Sequence, residues 1–187
     1  DSQRVEDDST ASYLQYPVRR LESEIIRDAV LSVCGLLNTR MYGEPVPVME
    51  DAVGQIVLGK ENLDGERKPT KATPLDGEEF RRSVYIQVRR SRTLSMFETF
   101  DAPTLSPNCE QRSFSTVTPQ ALLMMNSDFA VTYADAFAKR VLGEAPADDS
   151  QRVKLAWQLA YSADPSAADV NSAVRFITAQ RAVIGEQ

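Results

Sequence analysis

The spacing of apolar residues along the chain predicts four helices, at 20–37, 118–142, 151–162 and 166–183. In each segment apolar residues recur every three or four positions, the period of one helix face. Thr118 and Pro119 suit the start of the second helix, and Ser166 with Asp169 resembles a capping box for the last one. Short connections between the last helices indicate that they are antiparallel neighbours.

The same spacing predicts which helix faces are buried. On the first helix the polar side chains Ser23, Glu24, Arg27 and Asp28 are expected to face water. The residues expected to face the core are Leu21, Ile25, Ala29, Val33 and Leu36 on the first helix, and Leu122, Met125, Phe129, Tyr133, Ala136, Phe137 and Val141 on the second.

Two polar residues fall within these apolar faces. Glu22 is either a first-turn acid favoured by the helix dipole or a buried carboxylate that needs a cationic partner. Asn126 lies in the middle of the second apolar face. Because a buried amide requires hydrogen-bond partners, we expect Asn126 to bond the backbone of residues 100–117.

The middle of the chain predicts a small sheet and long loops. Residues 84–90 alternate between apolar and polar side chains, the pattern of a half-buried strand, and residues 55–58 are the expected partner strand. Glycine and proline interrupt the region between them, and 60–77 is expected to be an extended, charged loop. The predicted fold class is mainly α: a helical domain with a small two-stranded β element and a long irregular central segment. Residues 1–16 are expected to be a flexible lead-in, and 17–187 a single domain.

Charge is distributed unevenly along this acidic chain. The formal net charge of −6 argues against nucleic acid as the partner. No apolar run approaches the roughly 20 residues of a membrane helix. Residues 81–112, however, carry six arginines against three acids. Intramolecular ion pairing is the favoured interpretation of this basic zone, and ligand binding stays open as the alternative.

The complete absence of histidine narrows the chemistry. It excludes a Ser-His-Asp triad, a histidine general base and histidine metal ligands. With no Cys-x-x-Cys, neither covalent haem attachment nor a zinc knuckle fits, so we expect no cofactor and no metal. Cys34 and Cys109 form either a disulfide or two buried thiols, and their spacing does not decide between them.

Two classes of function fit the remaining residues. The first is a non-catalytic module that packs against other domains or binds an acidic or sulfated glycan, since guanidinium groups suit carboxylate and sulfate. The second is a glycan hydrolase or lyase that uses a carboxylate pair, with Asp101 and Glu110 as the acids to test. The ligand-binding candidates of the first class are Tyr85, Gln87, Arg89, Arg92 and Arg112.

Several motifs also resemble a known family. The segments 19–29, 81–92, 100–103, 108–112 and 115–122, followed by Asn126 and Ser127, are similar to a C-terminal domain of unknown function, number 1553, of very large planctomycete proteins. The resemblance implies an exported parent protein, at the periplasm or cell surface, that often carries a cytochrome-c-like domain. The resemblance therefore implies that other domains of the parent protein are the partners. A structural role for this chain beside the cytochrome-c-like domain is a further alternative. It implies no catalytic residues.

Overall fold

The computed structural model describes residues 20–63, 69–103, 112 and 115–185, with the backbone alone for 61–63 and 69–73. In this part of the chain the fold is mainly α, as predicted, and the predicted lead-in 1–16 lies outside it. The helices are α1 (Ser23–Val33), α2 (Ser95–Thr99), α3 (Thr118–Asn126), α4 (Asp128–Glu144), α5 (Asp149–Tyr161) and α6 (Ala167–Gly185). The strands are β1 (Val48–Glu50), β2 (Ile56–Leu58), β3 (Lys60–Leu63) and β4 (Pro69–Thr73).

The strands form two small antiparallel hairpins. In the first, β1 pairs with β2, Met49 lying opposite Val57. The second pairs β3 with β4, so the extended loop predicted for 60–77 was wrong. The predicted strand at 55–58 is confirmed as β2, but its partner is β1 rather than 84–90.

The main hydrophobic core lies in the middle of the chain, not between the long helices. Its buried members are Val46, Val48, Ile86, Leu94, Met96, Phe97 and Phe100. Ile26 of α1, Leu123 of α3 and Phe129 of α4 pack against this cluster from outside. By contrast α4, α5 and α6 each contain a single fully buried residue, namely Val141, Val153 and Val170. The irregular central segment is therefore the centre of packing, and the helices surround it.

The predicted orientation of α1 was wrong. Ser23, Arg27 and Leu31 are its buried residues, whereas Leu21 is 52% exposed and Ile25 48% exposed. The helix thus buries two polar residues beside Leu31, while Ile25 and Ala29 of its predicted core face are exposed. The reason is that the segment following residue 78 supplies polar acceptors to Arg27, as described below.

The segment 84–90 is not a strand. Ser83–Tyr85 form a single turn of 3₁₀ helix, after which Ile86 makes an isolated parallel bridge to Val46. The predicted common face was also wrong, because Ile86 is buried while Val84 and Val88 are 71% and 74% exposed. A 3₁₀ turn rotates successive side chains by about 120° rather than 180°, and this destroys the alternation.

The predicted helix 118–142 is two helices. It begins at Thr118 with Pro119 in its first turn, as predicted, but it is interrupted at Ser127. The Ser127 hydroxyl accepts a hydrogen bond from the Ala130 N–H at 3.2 Å and starts α4 as its N-cap. The predicted core positions Leu122 and Met125 are exposed in α3.

Asn126, at the end of α3, is exposed. Its predicted burial and bonding to residues 100–117 were therefore wrong.

The last helix starts as predicted. The Asp169 N–H donates to Ser166 Oγ at 3.2 Å, and the Ser166 N–H donates to an Asp169 carboxylate oxygen at 3.1 Å. These reciprocal bonds are the capping box expected from the sequence. Arg181 near the end of α6 forms an ion pair with Asp149 of α5, with a closest distance of 2.6 Å, which joins the two helices.

Candidate functional site

Two fully buried arginines connect α1 to the central segment. Arg81 is 0% exposed, and its Nη1 and Nη2 donate to the carbonyl oxygens of Glu44 at 2.8 Å and Tyr42 at 2.6 Å. Its Nη1 also lies 3.2 Å from a carboxylate oxygen of Glu78, and its guanidinium stacks 4.1 Å above the ring of Tyr85. Arg81 therefore holds residues 42–44, 78 and 85 together.

Arg27 makes the matching connection from α1. Its Nη1 donates to the Arg81 carbonyl at 2.9 Å and to Ser83 Oγ at 3.1 Å, and its Nη2 donates to the Glu79 carbonyl. Asp28 accepts from the backbone N–H and the hydroxyl of Ser83 at 2.7 and 2.6 Å. Because burial of an unpaired guanidinium is costly, these acceptors explain why α1 turns its polar side inward. Burial lowers the pKa of Arg27, and the Asp28 carboxylate opposes that change.

Arg112, a predicted ligand-binding candidate, is bound to acids of α1. Its two Nη atoms each lie 2.8 Å from an oxygen of Glu24, a bidentate pair, and Glu22 lies 3.4 Å away. The hydrogen bond from Arg112 is the main reason that the pKa of Glu24 falls from 4.5 to about 2. Glu22 thus has a cationic partner, one of its two predicted interpretations, although it stands at the N-cap position and is partly exposed.

Asp101, a predicted catalytic candidate, is used in a hydrogen-bond network. It accepts from the Ser115 N–H at 2.7 Å and from the Ser115 hydroxyl at 2.8 Å, and Arg20 lies 3.8 Å away. The buried Gln120 amide donates to the Thr99 carbonyl at 3.0 Å beside it. The hydrogen bond from the Ser115 N–H is the largest cause of the lowered pKa of Asp101. Ser115 therefore stabilises the ionised form of Asp101. Glu110, the other predicted acid, lies outside the described residues.

A shallow groove brings two predicted candidates together. Arg89 Nε donates to Gln87 Oε1 at 3.1 Å, and both residues line a cavity of about 880 Å³ that Lys60 and Arg40 also line. Its remaining wall includes Pro45, Pro47 and Pro74. We call this cavity the basic groove. Lys60 and Arg40 were not predicted, because they lie far from 84–90 in sequence and reach the groove only through the β3–β4 hairpin and the 38–44 turn.

The other ligand-binding candidates lie elsewhere. Tyr85 has one ring face covered by Arg81, and its hydroxyl oxygen accepts a hydrogen bond from the Tyr42 N–H at 3.0 Å. Arg92 is half-buried and engaged in contacts of its own. Of the five candidates, the structure places only Gln87 and Arg89 in the basic groove.

A second, apolar feature lies on α1. Leu21, just before α1, and Ile25 and Ala29 of α1 are all exposed, and we call these three residues the outer face of α1. Beside it a cavity of about 480 Å³ is lined by Ile25 together with the exposed Val84 and Val88. Glu24, Asp28 and Arg112 also line this cavity, so the exposed apolar residues have charged neighbours, an arrangement typical of interaction sites. The sequence did contain the signal, a strong apolar period on this helix, but we assigned it to the core.

Cys34 is a buried free thiol. Its S–H donates to the Tyr133 carbonyl oxygen at 3.1 Å, and burial raises the pKa of the thiol. Cys109 lies outside the described residues.

Within the described ranges, no group of three or more acidic, cysteine or histidine side chains is placed to hold a metal ion. No helix in the described part of the chain is both long enough and apolar enough to cross a membrane.

Together these features define a mainly helical module in which arginines bind acids and backbone carbonyls of the central segment. The chain belongs to the family PSD1, protein of unknown function (DUF1553), whose model matches residues 1–177. This confirms the resemblance seen in the sequence. No curated protein and no solved structure matches the chain.

Proposed function

We propose that this chain is a non-catalytic docking module of a larger protein, and that the outer face of α1 packs against another domain of that protein. One observation carries the proposal: α1 buries the polar Ser23 and Arg27 and exposes the apolar Leu21 and Ile25. In a helix at the edge of a domain the apolar residues face the core, as Leu31 and Ile26 do in α1. Leu21 and Ile25 lie outside that contact, and a second apolar surface that covers them would remove their exposed area from water.

The expected occupant is a domain joined on the N-terminal side of α1. A domain on that side is tethered to α1 through residues 1–19, so it stays within reach of the outer face of α1. Such tethering raises the effective concentration of the partner and lets a small apolar contact suffice. Val84 and Val88, on the far side of the cavity next to Ile25, extend the apolar surface available to it.

The proposed setting is the periplasm or cell surface of a planctomycete, in an exported parent protein beside a cytochrome-c-like domain. This setting rests on the usual context of the resembled family. Fractionation of the producing cells, followed by detection of the parent protein, tests it, and a purely cytoplasmic signal would reject it.

A glycoside-cleaving role receives less support. A carboxylate pair needs one protonated acid and one ionised carboxylate. The pKa of Asp101 is lowered by its bonds to Ser115, so Asp101 fits only the second part, and both of its carboxylate oxygens already accept hydrogen bonds from Ser115. Asp101 therefore fits a structural role, as the acceptor that fixes the start of the segment leading to α3.

The test compares one substitution in two contexts, this 187-residue chain and the full parent protein. Ile25→Glu places a charge on an exposed position here and is expected to change stability by no more than about 0.5 kcal/mol. In the parent the same charge would be buried without a partner, at a cost of about 2 kcal/mol or more. Urea unfolding reports both values.

Val183→Glu is the control, since Val183 is also an exposed apolar residue on a helix. It should be mild in both contexts. An Ile25→Glu effect equally small in the parent and in the isolated chain would reject docking through the outer face of α1.

A further inference from the structure

We infer that the basic groove binds the sulfate or carboxylate groups of an acidic oligosaccharide. Gln87 lines both this groove and the cavity beside the outer face of α1, but the inference rests on the cations of the groove and does not depend on the docking proposal. Its core is the pair Gln87 and Arg89, and Lys60 and Arg40 also line the groove.

The Gln87–Arg89 contact orients one guanidinium for an anion. Gln87 Oε1 accepts from Arg89 Nε at 3.1 Å, which fixes the plane of the guanidinium and leaves its two Nη groups to donate. The Gln87 amide nitrogen stays available as a further donor. A planar pair of Nη donors matches the oxygen spacing of carboxylate and sulfate, and an adjacent neutral donor suits a sugar hydroxyl.

Two of the three cations that line the groove have no acidic partner within the described part of the chain. Arg27, Arg81 and Arg112 all bind acids or carbonyls of the module. Arg89 and Lys60, by comparison, have no acid within ion-pair distance among the described residues.

Two acids also line the groove and moderate its charge. Glu78 lies 3.0 Å from Arg40 and 3.2 Å from the buried Arg81, so two cations share that carboxylate. Glu44 is the other acid, and its carbonyl oxygen rather than its carboxylate binds Arg81. Of the residues whose side chains are described, three cations and two acids thus line the groove, with the buried Arg81 next to Glu44 and Glu78. This local excess of positive charge contrasts with the net charge of −6 for the whole chain.

The shape of the groove favours a saccharide over a small ion. Its volume of about 880 Å³ is within the range of about 300–1,000 Å³ for ligand sites, far more than one oxyanion fills. Pro45, Pro47 and Pro74 line it with restricted backbone, so little conformational entropy is lost when a ligand binds. Stacking of a sugar on Tyr85 forms no part of the inference, because Arg81 already covers a face of that ring.

The experiment is isothermal titration of the full 187-residue chain with a sulfated galactan hexasaccharide at 0.1 M NaCl. The same hexasaccharide after desulfation, a polygalacturonate hexasaccharide and sodium sulfate are the comparison ligands. Arg89→Gln and Lys60→Gln remove the proposed contacts. Arg90→Gln is the matched control, because Arg90 is an exposed neighbour that does not line the groove.

We expect the sulfated or the carboxylated hexasaccharide to bind, and Arg89→Gln and Lys60→Gln each to weaken its Kd about tenfold, the loss of one charge-assisted hydrogen bond. Arg90→Gln should weaken it less than threefold. All three variants should unfold at the same urea concentration as the unmodified chain, since each side chain lies at the surface.

The inference would be overturned by no binding of either acidic hexasaccharide or by equal weakening by Arg89→Gln and Arg90→Gln. If the sulfated hexasaccharide binds, equal affinity for its desulfated form would also overturn it. If sodium sulfate competes with the hexasaccharide at the same concentration, the groove is a simple anion site. That result would reject saccharide binding. None of these outcomes bears on the outer face of α1, so this inference and the docking proposal can fail separately.

Discussion

Replacing Arg81 with alanine should be among the most destabilising single changes in the module. Arg81 is fully buried and donates to the carbonyls of Tyr42 and Glu44 and to the Glu78 carboxylate. The substitution leaves two backbone acceptors without their donor, whereas the Glu78 carboxylate keeps Arg40 as its partner. Each acceptor left unpaired costs about 1–3 kcal/mol, and the cavity left by the side chain adds to this, so we expect a total loss of about 3–5 kcal/mol. A typical domain has only about 5–15 kcal/mol of stability in total, so the variant should lose a large share of it.

Lysine at the same position should recover part of the loss. An ammonium can reach one or two of the acceptors but cannot span all of them or stack flat on Tyr85 as the guanidinium does. We therefore expect Arg81→Lys to cost about 2 kcal/mol, between the alanine variant and the unmodified chain.

The assay is equilibrium urea unfolding followed by far-ultraviolet circular dichroism, with the midpoint and the m value compared between variants. Arg82→Ala is the matched control, because the neighbouring Arg82 side chain is 56% exposed and lies 3.9 Å from Asp28. That variant should change stability by less than about 0.5 kcal/mol. Equal midpoints for Arg81→Ala and Arg82→Ala would refute the view that buried arginines hold the central segment together.

Two further predictions concern α1 and α6. Because Arg112 lowers the pKa of Glu24 from 4.5 to about 2, the pair stabilises the fold fully above about pH 4.5 and loses that effect as the pH falls toward 2. Glu24→Gln should therefore flatten the pH dependence of the urea midpoint within this window, and an unchanged slope would contradict the assigned pair. Ser166→Ala removes the N-cap of α6 and should lower the free energy of unfolding by about 1 kcal/mol. The measurement is the thermal midpoint, which should fall. Ser172→Ala, at an exposed position inside α6, is the control and should have almost no effect.

The local signals in the sequence predicted the helices well. Pro119 fixed the start of α3, and the Ser166–Asp169 pair fixed the start of α6. Both signals act between residues at most three positions apart, so they do not depend on the rest of the fold. The break between α3 and α4 had a local signal too, since Ser127 followed by Asp128 is a good helix start, but the continuous apolar period on either side outweighed it.

The orientation of α1 could not be predicted in this way. The apolar spacing predicts that Ile25 is buried. Arg27 is buried instead, because the Glu79 and Arg81 carbonyls and the Ser83 hydroxyl accept hydrogen bonds from its guanidinium. Those acceptors are more than 50 positions away in the chain. The alternation at 84–90 failed for a related reason. The Ser83 N–H donates a hydrogen bond to Asp28, which holds Ser83 in the interior. In the resulting 3₁₀ turn, Ile86 is the one buried residue among Val84, Ile86 and Val88.

The candidate site was predicted only in part. The sequence indicated basic residues near 81–92, and Gln87 and Arg89 do share a groove. The sequence could not show which arginines bind the module's own carbonyls and which remain available to a ligand. The difference depends on the positions of the backbone at 42–44 and 78–79 in the folded chain. Arg81 and Arg89 belong to the same basic stretch of the sequence, but Arg81 binds the module's own carbonyls, whereas Arg89 lines the groove.

Side-chain accessibility of α1 in the full parent protein tests the central claim most directly. Hydroxyl-radical footprinting with mass spectrometry should show rapid oxidation of Leu21 and Ile25 in the isolated chain, where both are about half exposed. In the parent the docking proposal predicts that oxidation of these two residues falls several-fold while that of Val183 stays the same. Equal oxidation rates for Leu21 and Ile25 in the two proteins would contradict it.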